Sequence, residues 1–190
     1  LAKVAEAEEK TSGGIILPTA AQKRPTSGDV VALGDSQVGT KQHPFSLTIG
    51  DTVLYSKFGI GAIDLEIQGE DHVMLREDDV IGIMPSSNAT AAEIPHLVPI
   101  GDRVLLRVDE QGEVTLGGVI LPDAAKERPL IGTVVRAGPG KLDKESGERK
   151  AIKVAEGDKV VYFKYAGDVM ETPSGEKYVV LHENDILCKA

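Results

Sequence analysis

An all-β chain of two small barrels in tandem is the fold the sequence predicts, and three observations carry the prediction. Gly13-Gly14-Ile15-Ile16-Leu17-Pro18 returns as Gly117-Gly118-Val119-Ile120-Leu121-Pro122, with every residue number raised by 104. Further matches keep one order in both halves at nearly that offset, which marks an internal repeat. Apolar residues come in short runs bounded by Gly, Pro and Asp, and no helical periodicity of useful length runs through either half. Short strands joined by glycine-rich turns close most economically into a compact barrel. The expected divisions are a first domain at 1–84, a linker at 85–98 and a second domain at 99–190.

Leu1 to Ala7 stands opposite Leu105 to Gln111, which continue the strand signal Arg103-Val104-Leu105-Leu106-Arg107-Val108. Nothing ahead of Leu1 matches Pro99-Ile100-Gly101-Asp102-Arg103-Val104, so the first strand of the first domain is expected to be incomplete at its start. Next comes the repeated hexapeptide. Two glycines free the backbone, an aliphatic triplet follows without polar relief, and proline ends the run. Such a triplet is either a short buried strand or a hydrophobic hook held on a loop for a partner's groove. The flanks favour the hook, because Glu8 to Ser12 and Thr19 to Ser27 are polar, long and without strand alternation. The candidate partner-binding residues are therefore Ile15, Ile16 and Leu17 in one copy and Val119, Ile120 and Leu121 in the other. Gly13, Gly14, Gly117 and Gly118 are the candidate hinges.

Lys23-Arg24-Pro25 leads to a glycine-bounded strand over 28–34, matched by Glu127-Arg128-Pro129 and 132–138. The repeats then part over Asp35 to Ile49 and the longer, charged Pro139 to Glu156, and this length variation marks surface excursions. Only the second has a hairpin-like glycine, Gly147, within a charged run. Gly50-Asp51-Thr52-Val53-Leu54-Tyr55 realigns with Gly157-Asp158-Lys159-Val160-Val161-Tyr162. Strand signals follow at 53–55, 62–67 and 72–75, with copies at 160–163, 168–171 and 178–181. Each repeat closes through a polar turn, Glu77-Asp78-Asp79 or Glu183-Asn184-Asp185, into a last apolar strand. Pro85 to Pro95 is small, polar and bounded by prolines, which reads as a linker. Residues 85–98 could span at most about 46 to 50 Å when extended.

Composition excludes several classes. A formal charge of -9 with 4% aromatic residues opposes nucleic-acid binding. No apolar run approaches the ~18 residues of a membrane span, and no signal peptide opens the chain. Cys188 is the single cysteine, which rules out an intramolecular disulfide and suits a reducing compartment. His43, His72, His96 and His182 are scattered; by repeat, His72 stands opposite Tyr178 and His182 opposite Arg76, so all four read as surface residues rather than metal ligands. The segment 34–41 has the lysine and threonine of a phosphate loop in the wrong order, and Asn88-Ala89-Thr90 is a sequon without other signs of secretion. Neither a nucleophile elbow nor a dinucleotide fingerprint is present. The expectation is no catalytic residue, no metal and no cofactor.

The order of strand, Gly-Gly-aliphatic loop, Gly-x-Val-Val strand, charged excursion, Gly-Asp-x-Val-x-Tyr and closing Glu-x-Asp-Ile/Val resembles the ten-kilodalton GroES-type co-chaperonin family, twice over nearly the whole chain. The tandem form is similar to the double-domain members of chloroplasts. The resemblance implies two GroES-like barrels whose loops at Ile15 to Leu17 and Val119 to Leu121 are mobile. They would dock into the apical grooves of a sevenfold chaperonin ring, cap it in its nucleotide-bound state and assist ATP-dependent folding. The ATP would be bound by the chaperonin, and the setting would be the chloroplast stroma. The resemblance also implies roof hairpins at the two excursions and pairing of first and last strands between neighbouring barrels. It points to a homo-oligomer, most simply a tetramer, and to a hetero-oligomer with a single-domain co-chaperonin. The alternative is a tandem β-barrel adaptor that binds another protein through the same loops. An enzyme is third, because alcohol dehydrogenases share the fold but their cofactor domain and metal ligands are missing here.

Overall fold

The computed structural model describes residues 1–4, 26–35, 37–38, 41–42, 45–56, 61–87, 89–109, 130–143 and 146–190. Among them every element is a strand apart from short 3-10 turns, as the sequence predicts. The first half contributes β1 (Ala2–Val4), β2 (Thr26–Val30), β3 (Gln37–Val38), β4 (Lys41–Gln42), β5 (Thr52–Tyr55), β6 (Ile63–Ile67), β7 (Glu70–Met74) and β8 (Val80–Ile83). After β9 (Val98–Pro99), the second half contributes β10 (Arg103–Val108), β11 (Leu130–Ala137), β12 (Lys141–Leu142), β13 (Arg149–Lys150), β14 (Lys159–Tyr162), β15 (Asp168–Glu171), β16 (Lys177–His182) and β17 (Ile186–Lys189).

The two main sheets repeat one order. The first runs β6-β7-β1-β2-β5-β8-β9 and the second β15-β16-β10-β11-β14-β17. Corresponding pairs keep their register down to a shared bulge: Leu54 pairs with Gly82 and Tyr55 with Val80, as Val161 pairs with Cys188 and Tyr162 with Ile186. The two motifs that mark the repeat have local physical causes. In Gly-Asp, Gly50 and Gly157 take φ of +96° and +88°, a region costly for residues with a Cβ. The following aspartate accepts a backbone N–H, from Thr48 at 2.7 Å to Asp51 Oδ2 and from Ala155 at 2.8 Å to Asp158 Oδ2. In the closing turns Asp79 and Asp185 accept the amides of Arg76 and His182, each at 3.2 Å.

Strand alternation splits the buried residues into three clusters. Val53, Tyr55, Val73 and Val80 fill the first barrel, and Val104, Leu106, Val160, Tyr162, Val179 and Leu181 the second. Their neighbours on the opposite strand faces, Leu54 and Ile81 on one side and Leu105, Tyr178 and Val180 on the other, form a third core between the barrels. The linker is part of that core. A 3-10 turn over Ala91–His96 delivers Ile94 and Leu97 into it, and β9 pairs with β8 so that Ile100, from the opening of the second repeat, is buried in the first barrel's cluster.

Both excursions hold hairpins. The second, β12–β13, agrees with the glycine signal, and Gly147 has φ of +76°. The first pairs Gln37 with Gln42 and Val38 with Lys41.

Candidate partner-binding surfaces

Ile15, Ile16, Leu17, Val119, Ile120 and Leu121, with Gly13, Gly14, Gly117 and Gly118, lie outside the described residues. The strands that bound their segments lie within the described residues. The first segment leaves β1 at Val4 and returns at β2, and the second leaves β10 at Val108 and returns at β11. Each pair of strands is antiparallel and adjacent, with Val4 opposite Gly28 and Val108 opposite Gly132. A Cβ on Gly28 would lie 2.7 Å from the Lys3 carbonyl oxygen, and one on Gly132 would lie 3.0 Å from that of Arg107. The glycine of Gly-x-Val-Val is therefore required by close strand approach at the base of each segment.

The joint between the barrels is apolar inside and charged at its rim. The Arg103 guanidinium donates to the Asp78 carbonyl of the first barrel. Burial lowers the pKa of Arg103, opposed by Asp102, Asp168, Asp78 and Asp79. Burial raises Asp168, with Arg103 and His182 pulling the other way. At Asp102 burial acts to raise the pKa, but the hydrogen bond and charge of His182, whose Nδ1 lies 2.8 Å from Oδ1, hold the carboxyl below its usual value. Arg149 ties the second excursion to the first barrel, with Nη2 donating to Ser46 Oγ at 2.8 Å and Nη1 to the Gly140 carbonyl at 3.2 Å.

One histidine departs from the sequence reading. His72 is 8% exposed, not a surface residue, and its Nδ1 donates to the Glu70 carbonyl at 2.9 Å. Its counterpart Tyr178 is equally buried at 4%. Exchange between two amphipathic rings is thus compatible with a packing role. His182 is exposed and paired with Asp102. Among the described residues, no three of His, Cys, Asp and Glu are grouped to hold a metal ion, and no helix is long and apolar enough to cross a membrane.

The family model for the chaperonin 10 kDa subunit matches residues 1–84 and 96–190. This chain belongs to that family. Two curated relatives match 98% of it: the 20 kDa chaperonin, chloroplastic, of Spinacia oleracea at 42% identity over 188 residues, and the protein of the same name from Arabidopsis thaliana at 39% over 188 residues. The match covers 71% of each relative. The chain is accordingly a tandem co-chaperonin of the GroES type, of the kind found in chloroplasts, and its family is one of chaperonin subunits rather than of enzymes.

Proposed function

We propose that this co-chaperonin caps a chaperonin ring through the segments Ile15 to Leu17 and Val119 to Leu121, and so assists ATP-dependent protein folding in the chloroplast stroma. The carrying observation is the repeated Gly-Gly, aliphatic triplet and proline, set in both domains between adjacent paired strands. Burying three aliphatic side chains contributes about 4.5 to 9 kcal/mol at about 1.5 to 3 each. Ordering the six residues of one hook costs about 6 to 12 kcal/mol at about 1 to 2 per residue. The two nearly cancel, so a single hook binds weakly and several on one ring hold together through effective concentration. Such a cap can hold firmly yet be released when the partner changes state. The nucleotide belongs to the chaperonin, and this chain holds no cofactor. Assembly follows the same reading: a homo-oligomer alone, most simply a tetramer, and a hetero-oligomer with a single-domain co-chaperonin.

The test is capture by a chaperonin ring with nucleotide. Ile16→Ser and Ile120→Ser should each weaken capture with the fold unchanged by circular dichroism, and the double variant should lose more than either. A folded double variant captured as well as the wild type would overturn the capping role and return the chain to an adaptor.

A further inference from the structure

The two hook segments leave their barrels through stems of different chemistry. At the second stem Asp109 follows β10, and its amide donates to the Ile131 carbonyl at 3.0 Å, which carries the β10–β11 ladder one step past Val108. Its carboxylate is gripped from β11 and β14. The Thr133 hydroxyl donates to Asp109 Oδ1 at 3.2 Å and to Oδ2 at 3.4 Å, and Lys159 Nζ lies 3.8 Å from Oδ2. Thr133 and Lys159 stand opposite each other in the β11–β14 register, so one cross-strand pair holds the residue at which the hook segment begins.

The first stem has the same positions with the groups exchanged. Asp29 stands where Thr133 does, opposite Thr52, which stands where Lys159 does. The Thr52 hydroxyl donates to Asp29 Oδ1, so this carboxylate is engaged between β2 and β5, inside the barrel wall. The counterpart of Asp109 is Ala5, whose side chain has neither donor nor acceptor. Between the repeats the carboxylate has in effect moved from the wall to the stem.

We propose that Asp109 is a positioning residue that pins the stem of the second hook to its barrel and makes that hook the stronger chaperonin contact of the two. The inference rests on the proposed capping function and adds a division of labour to it. Docking a hook costs the entropy of ordering its backbone, so a stem already fixed through its amide and carboxylate lowers that cost without adding any contact to the partner. The Thr133 hydroxyl supplies most of the grip, since a lysine at 3.8 Å with its side chain 64% exposed contributes little. The second hook then holds the chain on the ring while the first engages, because its docking raises the effective concentration of the other.

Hydrogen exchange and chaperonin capture of the full chain test this. Asp109→Ala and Thr133→Val should each speed exchange of the amide at residue 109, with circular dichroism unchanged. Capture with nucleotide is then read in two backgrounds, Ile16→Ser, which leaves the second hook, and Ile120→Ser, which leaves the first. Either stem variant should weaken capture about fivefold in the Ile16→Ser background, the equivalent of one more residue to order, and much less in the Ile120→Ser background. Asp109→Asn, which keeps an acceptor for Thr133, should restore most of the loss. Without a stem variant, Ile120→Ser should cost more capture than Ile16→Ser. An amide at 109 that exchanges no faster in either stem variant overturns the grip. Faster exchange with equal losses in both backgrounds, or with none, overturns its link to hook strength, as does a greater loss from Ile16→Ser than from Ile120→Ser. Capture indifferent to Ile16→Ser, Ile120→Ser and their double variant overturns the capping reading and the ranking of the hooks with it, while the exchange rates still report the stem.

Discussion

Tyr55 and Tyr162 end the Gly-Asp-x-Val-x-Tyr motif in the two halves, and each ring closes one barrel core at 3% and 1% exposure. Burial pushes each phenol up to about 12, with Asp64 adding for Tyr55 and Asp109 for Tyr162. The ordinary value is 10.0. A raised folded pKa means that the associated stability is fully present below pH 10 and is lost as pH rises towards 12, because the unfolded chain releases those protons first. Urea midpoints should therefore hold steady up to about pH 10 and fall above it. In Tyr55→Phe with Tyr162→Phe that alkaline fall should be shallower. An equally steep fall in the double variant would assign it to other groups.

At the scale of elements, what was legible and what was not divides along local and non-local causes. Strands such as Arg103–Val108 and Asp168–Glu171 were readable because alternation and turn residues are local. The first excursion's hairpin, which pairs Gln37 with Gln42, lacks the charged run that marks the second. The inter-barrel core was not readable, because each of its residues is the off-face member of a strand whose other face already explains it. Ile94 and Leu97 are isolated apolar residues in a polar stretch and show no period, although Thr90-x-x-Glu93 was a usable capping-box sign of structure there. The aliphatic triplets at 15–17 and 119–121 are a repeated sequence pattern that lies outside the described residues. Leu97 is 0% exposed beside Gly82, whereas its neighbour Val98 is 43% exposed. Leu97→Ala should therefore cost about 2 to 5 kcal/mol of unfolding free energy, and Val98→Ala much less. Equal losses at the two sites by urea titration would mean that the linker turn is not built into the core.

The whole molecule is constrained by arithmetic that neither half carries. The covered joint, with Ile100 of the second repeat buried in the first barrel's core, makes the chain a fixed pair of barrels. Chains that always bring two barrels cannot complete a sevenfold cap by themselves: three leave a gap and four overfill it. Three such chains and one single-domain co-chaperonin would match the symmetry that the family resemblance implies. Four chains would close a ring of eight barrels if the contact between neighbouring chains is heterologous and tolerates the changed rotation. The chain alone should therefore give mainly tetramers by native mass spectrometry. Titration with a single-domain co-chaperonin should convert them into mixed rings of three long chains to one short, and those rings should be captured by chaperonin more tightly than the tetramer. Hooks left undocked on a mismatched cap lower avidity without abolishing it, so the tetramer should bind measurably but less well. Tetramers that persist unchanged in excess single-domain partner, with chaperonin capture also unchanged, would show that symmetry matching does not govern this assembly.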